Sequence, residues 1–199
     1  MRTADVDILI VPGWAGSDDD HWQSRWERNL KTARRVAQGD WLEPDRPSWV
    51  ERIVEEVGRS ERPAMLVAHG LGVAAVLHAA QELDPARVAG TFLVGPMDLD
   101  AIADWPDEQG RNWRRVAGSF LPMPMAPLPF PARMIASSED PYCSSERAEA
   151  LGAAWGAQVS ILAKAGHIDT ASGHGPWPEG LLTFGQFLQT LARREPSFE

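Results

Sequence analysis

MLVAHGLGVAAVLHAA, Met65 to Ala80, is the stretch that decides the fold. Met65 to Ala68 is a short apolar run of the kind that forms a strand buried on both faces. Leu71 to Leu83 is apolar nearly all round, which predicts a buried helix. Strand, tight turn and buried helix therefore meet at Ala68-His69-Gly70-Leu71-Gly72. This is the setting of the nucleophile elbow, G-x-S-x-G, in which a strained strand-to-helix turn holds a serine above a sheet. Small residues flank the nucleophile because helix and strand pack closely there. Ala68 and Gly72 meet that need, and the nucleophile position reads Gly70. Taken alone, AHGLG also fits any strand-turn-helix connection. It is not a dinucleotide fingerprint, because Ala75 stands where the third glycine belongs.

The same alternation recurs on both sides. Val6 to Pro12 (VDILIVP) reads as a buried strand. A helix should follow from about Asp20, capped by Asp20 with Gln23 at the capping-box position, and with Trp22, Trp26 and Leu30 on one face. A weakly marked strand falls near Arg35 to Gly39. Ser48 and Glu51 form a capping box for a helix whose apolar face is Trp49, Val50, Ile53, Val54 and Val57. Val88 to Val94 and Ala132 to Ser137 are strands. Ser144 to Trp155 is a helix, Val159 to Leu162 a strand, and Pro178 to Leu191 a final helix with proline in its first turn. From Asp98 to Pro131 the pattern breaks. The run LPMPMAPLPFP (121–131) excludes a regular helix or central strand, so this segment is either a lid-like excursion or an extended surface stretch. Strands separated by helices predict an α/β protein with a doubly wound parallel sheet and helices on both faces. Its ligand site lies beyond the carboxyl ends of the strands. A chain of 199 residues is most simply one domain, 1–199.

Composition narrows the function. The net charge of -9 argues against nucleic-acid binding, which needs a basic surface, and disfavours an anionic membrane surface. No segment approaches the roughly 18 apolar residues of a membrane helix. The N-terminus lacks a signal-peptide pattern. The one cysteine, Cys143, excludes an intramolecular disulfide and a multi-cysteine metal site. The chain reads as cytoplasmic, with no cofactor and no metal. Nine tryptophans are many for this length, and Trp14, Trp22, Trp26, Trp41 and Trp49 fall in the first quarter.

Two later segments add chemistry to the elbow. Asp140 follows the strand ARMIAS in Ser138-Glu139-Asp140-Pro141, where a triad acid would stand. By itself Asp140-Pro141 also starts a turn, and Asp98 and Glu139 compete for the role. His167 lies in Ala165-Gly166-His167-Ile168-Asp169, in a loop past the last strand, from which a base reaches back to the elbow. Elbow, acid, histidine is the chain order of such triads on a doubly wound sheet. An oxyanion hole needs two backbone N–H groups. Leu71 supplies one, and Trp14 or Ala15 in the loop Pro12-Gly13-Trp14-Ala15-Gly16 the other. Gly13, Trp14 and His69 are candidate substrate contacts. His78 reads as a satisfied core histidine, His69 as support for the turn, and His21 as directed at the first loop. Cys143 reads as an inert packing residue.

The chain resembles the small serine-hydrolase family of α/β-hydrolases that includes retinoblastoma-binding protein 9 and the YdeN-type bacterial proteins. The likeness spans nearly the whole chain. It rests on VPGWAGSDDDHW, VAHGLG, SSEDPY and AGHIDTASGHGPWPEG, the last with the family's GPWPEG stretch after the histidine. It implies a compact α/β-hydrolase with a reduced cap and a Ser-Asp-His triad. Asp140 and His167 match the acid and base, and Gly70 departs from the serine. The expected activity is carboxylic ester or amide hydrolysis by acyl transfer on an uncharged or weakly polar small-molecule substrate, with tryptophans and the Pro/Met-rich run as an apolar wall. Three readings of Gly70 stand side by side. A one-base change separates it from a serine codon in an otherwise catalytic protein. The chain is a pseudoenzyme whose cleft binds a small molecule or a protein partner. Or a water takes the place of the hydroxyl and His167 activates it.

Overall fold

A computed structural model describes residues 1–103, 105 and 112–192. Part of the 98–131 excursion expected from sequence, residues 104 and 106–111, lies outside the described residues. The strands are β1 (Asp7–Val11), β2 (Ala33–Arg35), β3 (Ala64–His69), β4 (Val88–Val94), β5 (Ala132–Ser137) and β6 (Gln158–Leu162). They form one parallel sheet in the order β2-β1-β3-β4-β5-β6. The helices are α1 (Trp22–Asn29), α2 (Arg46–Arg59), α3 (Leu71–Ala79), α4 (Trp113–Ala117), α5 (Ser145–Trp155) and α6 (Pro178–Ala192).

The winding direction reverses between β1 and β3. From β1 the chain steps outward to β2, then returns to β3 and proceeds the other way. The carboxyl ends of β1 and β3 therefore diverge into loops on opposite sides, which leaves a crevice at that point. Every residue of β1 and β3 is buried, as continuous apolar strands between two helical layers must be. On one face α2, α3 and α5 cover the sheet through Trp49, Ile53, Val73, Leu151 and Trp155. On the other, α1 and α6 pack through Trp22, Trp26, Phe184 and Phe187.

The second face explains much of the tryptophan content. Trp22, Trp26 and Trp177 form an aromatic cluster with ring centroids 4.8–6.2 Å apart. The Trp177 indole packs against Gly180, where a Cβ would come within 2.2 Å of the ring. That contact accounts for the glycine in PWPEG. Gly180→Ala is expected to lower stability by about 1–3 kcal/mol, because a ring held by two other indoles has nowhere to go. The midpoint of urea denaturation checks this.

Several helix starts differ from expectation. Asp20 does not cap α1. His21 does, its Nδ1 accepting from the Gln23 amide at 3.1 Å. The Gln23 side chain turns inward instead, donating to the Val11 and Val67 carbonyls at 3.3 and 3.1 Å and accepting from Ser17 at 2.7 Å. Bonding to carbonyls of β1 and β3 outcompetes a capping box. Helix α2 starts earlier than Ser48, at Arg46. Asp45 is its cap, accepting from the Ser48 amide at 3.1 Å, and Pro47 occupies the first turn. Strand β2 precedes the Arg35–Gly39 segment expected from sequence, meeting it only at Arg35. Helix α3 ends at Ala79 rather than Leu83.

Candidate functional site

The turn from β3 to α3 brings Gly70 to the crevice at φ 56°, ψ -126°. A side chain at this φ is strained by about 1–3 kcal/mol, and glycine removes the penalty. Close packing holds the turn in place. A Cβ on Gly72 would lie 2.4 Å from the Val11 carbonyl oxygen, and one on Gly13 would lie 2.9 Å from that of His69. Gly13 thus does more than let its loop turn: it permits backbone contact between the first loop and the elbow. Gly70→Ser is expected to cost about 1–3 kcal/mol of stability, read as a lower urea midpoint than the native chain.

His167 arrives from the loop between β6 and α6, and Asp140 from the loop after β5. His167 Nδ1 lies 2.9 Å from Asp140 Oδ2 and 3.1 Å from Oδ1. The Asp140 side chain is 1% exposed and that of His167 11%. The carboxylate can only accept, so Nδ1 carries the proton and Nε2 presents its lone pair. A Cβ built on Gly70 falls 3.2 Å from Nε2. Nε2 has no hydrogen-bond partner among the described residues.

The loop bearing His167 is tied down on several sides. His69 Nε2 donates to the His167 carbonyl at 2.8 Å, and Trp22 Nε1 to the Ile168 carbonyl at 2.9 Å. Ser137 Oγ accepts from the Ala165 amide and Ser138 Oγ from the Lys164 amide, both at 3.0 Å. Gly95, after β4, leaves room for the same loop, since a Cβ there would stand 2.9 Å from the His167 carbonyl oxygen.

The competing acids are engaged elsewhere. Asp98 accepts from Arg147 Nε at 3.0 Å, and Glu139 faces Lys164 at 3.8 Å. Ala15, expected as an alternative oxyanion donor, spends its N–H on the Trp41 carbonyl at 2.8 Å. Leu71 opens α3, and its N–H has no partner among the described residues, as first-turn amides lack one within the helix. His78 is satisfied by the Phe120 carbonyl at 2.8 Å. Burial pushes the Cys143 thiol up to about 12, with the Asp140 and Asp98 charges adding to it, so it stays a thiol. Among the described residues no group of three His, Cys, Asp or Glu side chains is placed to hold a metal ion, and no helix is long and apolar enough to cross a membrane.

The cleft above Gly70 has a volume of about 240 Å³. Part of its lining is apolar: Trp14, Leu71, Met97, Trp113 and Tyr142. The Trp14 and Trp113 rings meet edge to face at 5.3 Å, and Tyr142 lies edge-on to His167 at 4.7 Å. The lining also carries Asp18, Asp169 and Thr170, and no lysine or arginine is among the described lining residues. The Pro/Met-rich run is not part of this wall. Its Pro124 to Pro129 stretch borders a separate groove with Leu77 and Ala80, where Pro124 also accepts from Trp155 Nε1 at 2.9 Å. Met97, Trp113 and Tyr142 come from three separate segments, so only the fold reveals them as one wall.

Two further histidines, His21 and the expected substrate contact His69, line the cleft beside His167. The His21 and His69 rings meet edge to face at 4.9 Å, and the His69 and His167 rings are tilted against each other at 4.7 Å. Burial lowers His21 to about 4 against the pull of Asp18. Burial likewise holds His69 well below the usual histidine range, helped by its histidine neighbours. Both are neutral in the fold, and both bind a proton on unfolding below pH ~6.5. The stability they permit is complete above that pH and declines as pH falls below it. The urea midpoint is therefore expected to be lower at pH 5 than at pH 7.5.

A parallel sheet with a tight strand-to-helix elbow flanked by Ala68 and Gly72, a His–Asp pair and a cleft at the switch point defines the class: an α/β-hydrolase fold. More narrowly, the chain belongs to the serine hydrolase family, whose profile matches residues 8–186. A YdeN-like hydrolase from Pectobacterium atrosepticum is 30% identical, superposes with a TM-score of 0.81, and covers 95% of this chain and 94% of its own. The ydeN gene product of Bacillus subtilis is 17% identical with a TM-score of 0.73, covering 92% of this chain and 99% of its own. The esterase RhEst1 of a Rhodococcus species shares the fold at 14% identity and a TM-score of 0.60, over 96% and 92% of the two chains. No curated protein sequence matches.

Proposed function

We propose that the cleft is a carboxylic ester or amide acyl site of the Ser-Asp-His type from which only the nucleophile is missing. The observation that carries this is the 3.2 Å between His167 Nε2 and a Cβ built on Gly70, with Nδ1 held by Asp140 on the far side of the ring. A serine hydroxyl at position 70 would stand within hydrogen-bond reach of the base. His167 would take its proton, Asp140 would orient and balance the imidazolium, and the Leu71 and Trp14 main-chain N–H groups would hold the oxyanion. With glycine there, the cleft binds acyl compounds and forms no acyl-serine.

The lining sets the substrate class. Aromatic rings and Met97 suit an apolar acyl group. Asp18 and Asp169, with no described cation beside them, oppose an anionic one. An uncharged or weakly polar small molecule fits both parts of the lining. The likeness to retinoblastoma-binding protein 9 belongs to this reading and rests on the quoted motifs. The test is labelling by a fluorophosphonate probe, read by intact mass. Gly70→Ser is expected to gain one adduct that the native chain lacks and to lose it when His167→Ala is added. No labelling of Gly70→Ser would overturn the proposal and favour a binding protein without acyl chemistry.

A further inference from the structure

We propose that in the native chain His167 Nε2 is itself a nucleophile, taking an acyl group directly from aryl esters, aryl carbamates and thioesters. This rests on the acyl-site reading above and goes beyond it, because it assigns a covalent step to the glycine form.

Position 70 leaves the way to the ring open. A Cβ built there falls 3.2 Å from Nε2, so in the glycine form no side-chain atom of residue 70 stands between the imidazole and the cleft that Gly70 and His167 both line. The carbonyl carbon of an acyl compound bound in the cleft can therefore come into contact with Nε2 itself.

The electronic arrangement points the same way. Asp140 fixes the proton on Nδ1, so the Nε2 lone pair faces the cleft. The ring is held by its own carbonyl, bonded to His69, and by Tyr142 against its edge. Nε2 attacks the carbonyl carbon, and the C=O pair moves to oxygen opposite the Leu71 N–H. Collapse breaks the bond to the leaving group, which departs with its electron pair. The resulting acyl-imidazolium is balanced by Asp140 across Nδ1. Water then adds to the acyl carbon. The C–N pair returns to Nε2, and the two water protons go to the acid product and the departed anion. Imidazole expels phenolates and thiolates, whose conjugate acids have pKa values near ~10 and ~8.5, far more readily than alkoxides. That restricts the substrates to activated acyl donors, and the absence of a described cation in the cleft disfavours acyl phosphates.

The test uses 4-nitrophenyl N,N-dimethylcarbamate, whose carbamoyl-imidazole product resists hydrolysis. The native chain is expected to release one nitrophenolate per chain and gain one dimethylcarbamoyl group, located at His167 by peptide fragmentation. His167→Gln is expected to gain none, and Asp140→Asn to react more slowly. In Gly70→Ser the group is expected on the introduced serine. If Gly70→Ser is carbamoylated and the native chain is not, the inference falls while the acyl-site reading stands. An adduct at His174 or the N-terminal amine also overturns it. If neither protein reacts, the acyl-site reading fails with it.

Discussion

Gly70→Ser is expected to raise the hydrolysis of a short uncharged aryl ester by at least about 10³-fold over the native chain. The argument is geometric. The base already has its acid partner, with His167 Nδ1 2.9 Å from Asp140 Oδ2. The elbow already holds φ 56° at position 70, and Leu71 already opens α3 beside it. One substitution supplies the attacking hydroxyl without rebuilding the rest. The cost is the backbone strain of a side chain at positive φ, together with a Cβ-to-ring contact that asks the imidazole to retreat by a few tenths of an ångström. The His167 loop must yield slightly against its bonds from His69 and Trp22. In the same background Asp140→Asn is expected to return the rate close to that of the native chain. The amide can donate to Nδ1 and so turn the imidazole to the wrong tautomer; loss of the orienting carboxylate costs about 10⁴-fold in such triads. Initial rates of the native chain, Gly70→Ser and Gly70→Ser/Asp140→Asn decide the matter. A Gly70→Ser protein that folds and stays as slow as the native chain would mean that His167 is not set to take the hydroxyl proton.

The elements legible in sequence were those with a continuous apolar run and hard punctuation. Val88 to Val94 and Ala132 to Ser137 match β4 and β5 at both ends. Both are buried strands flanked by proline, arginine or glycine. The edge strand β2 was poorly marked because it reads Ala-Arg-Arg. Its arginines lie half-buried and paired with Glu56 and Glu27 rather than displaying an apolar face. The start of α1 departs from the sequence pattern because Gln23 fits a capping box in sequence, while the fold draws it inward to the strand carbonyls. In the site, chain order marked Asp140 and His167, and the structure places them together. The same order left Asp98 open, since only three-dimensional contact shows it bound by Arg147. Nothing in the sequence marks Trp22 and Gly95 as supports of the His167 loop. Their contribution is an indole N–H 146 residues distant in sequence and an absent Cβ, and neither leaves a local pattern.

Gly72→Ala is expected to destabilise the chain by about 3 kcal/mol, the largest stability loss from adding one methyl group here. The new Cβ would lie 2.4 Å from the Val11 carbonyl oxygen, 2.6 Å from that of Pro12 and 3.0 Å from the Pro12 carbonyl carbon. All three are backbone atoms, so no side chain can swing aside. Strand β1 cannot withdraw, because β2 and β3 bond it on both sides. Helix α3 cannot withdraw either, because every one of its residues is buried. The strain must push the first loop away from the elbow, separating Trp14 from Leu71 and opening the cleft between them. The control is the same substitution elsewhere. Gly185 lies in α6, and a Cβ there would meet nothing within 4 Å. Gly185→Ala is expected to stabilise the protein by about 0.5–1 kcal/mol through helix propensity. Urea midpoints for the two variants should therefore move in opposite directions from the native value. A Gly72→Ala protein as stable as the native chain would show that helix and strand do not meet as closely at the elbow as the cleft requires.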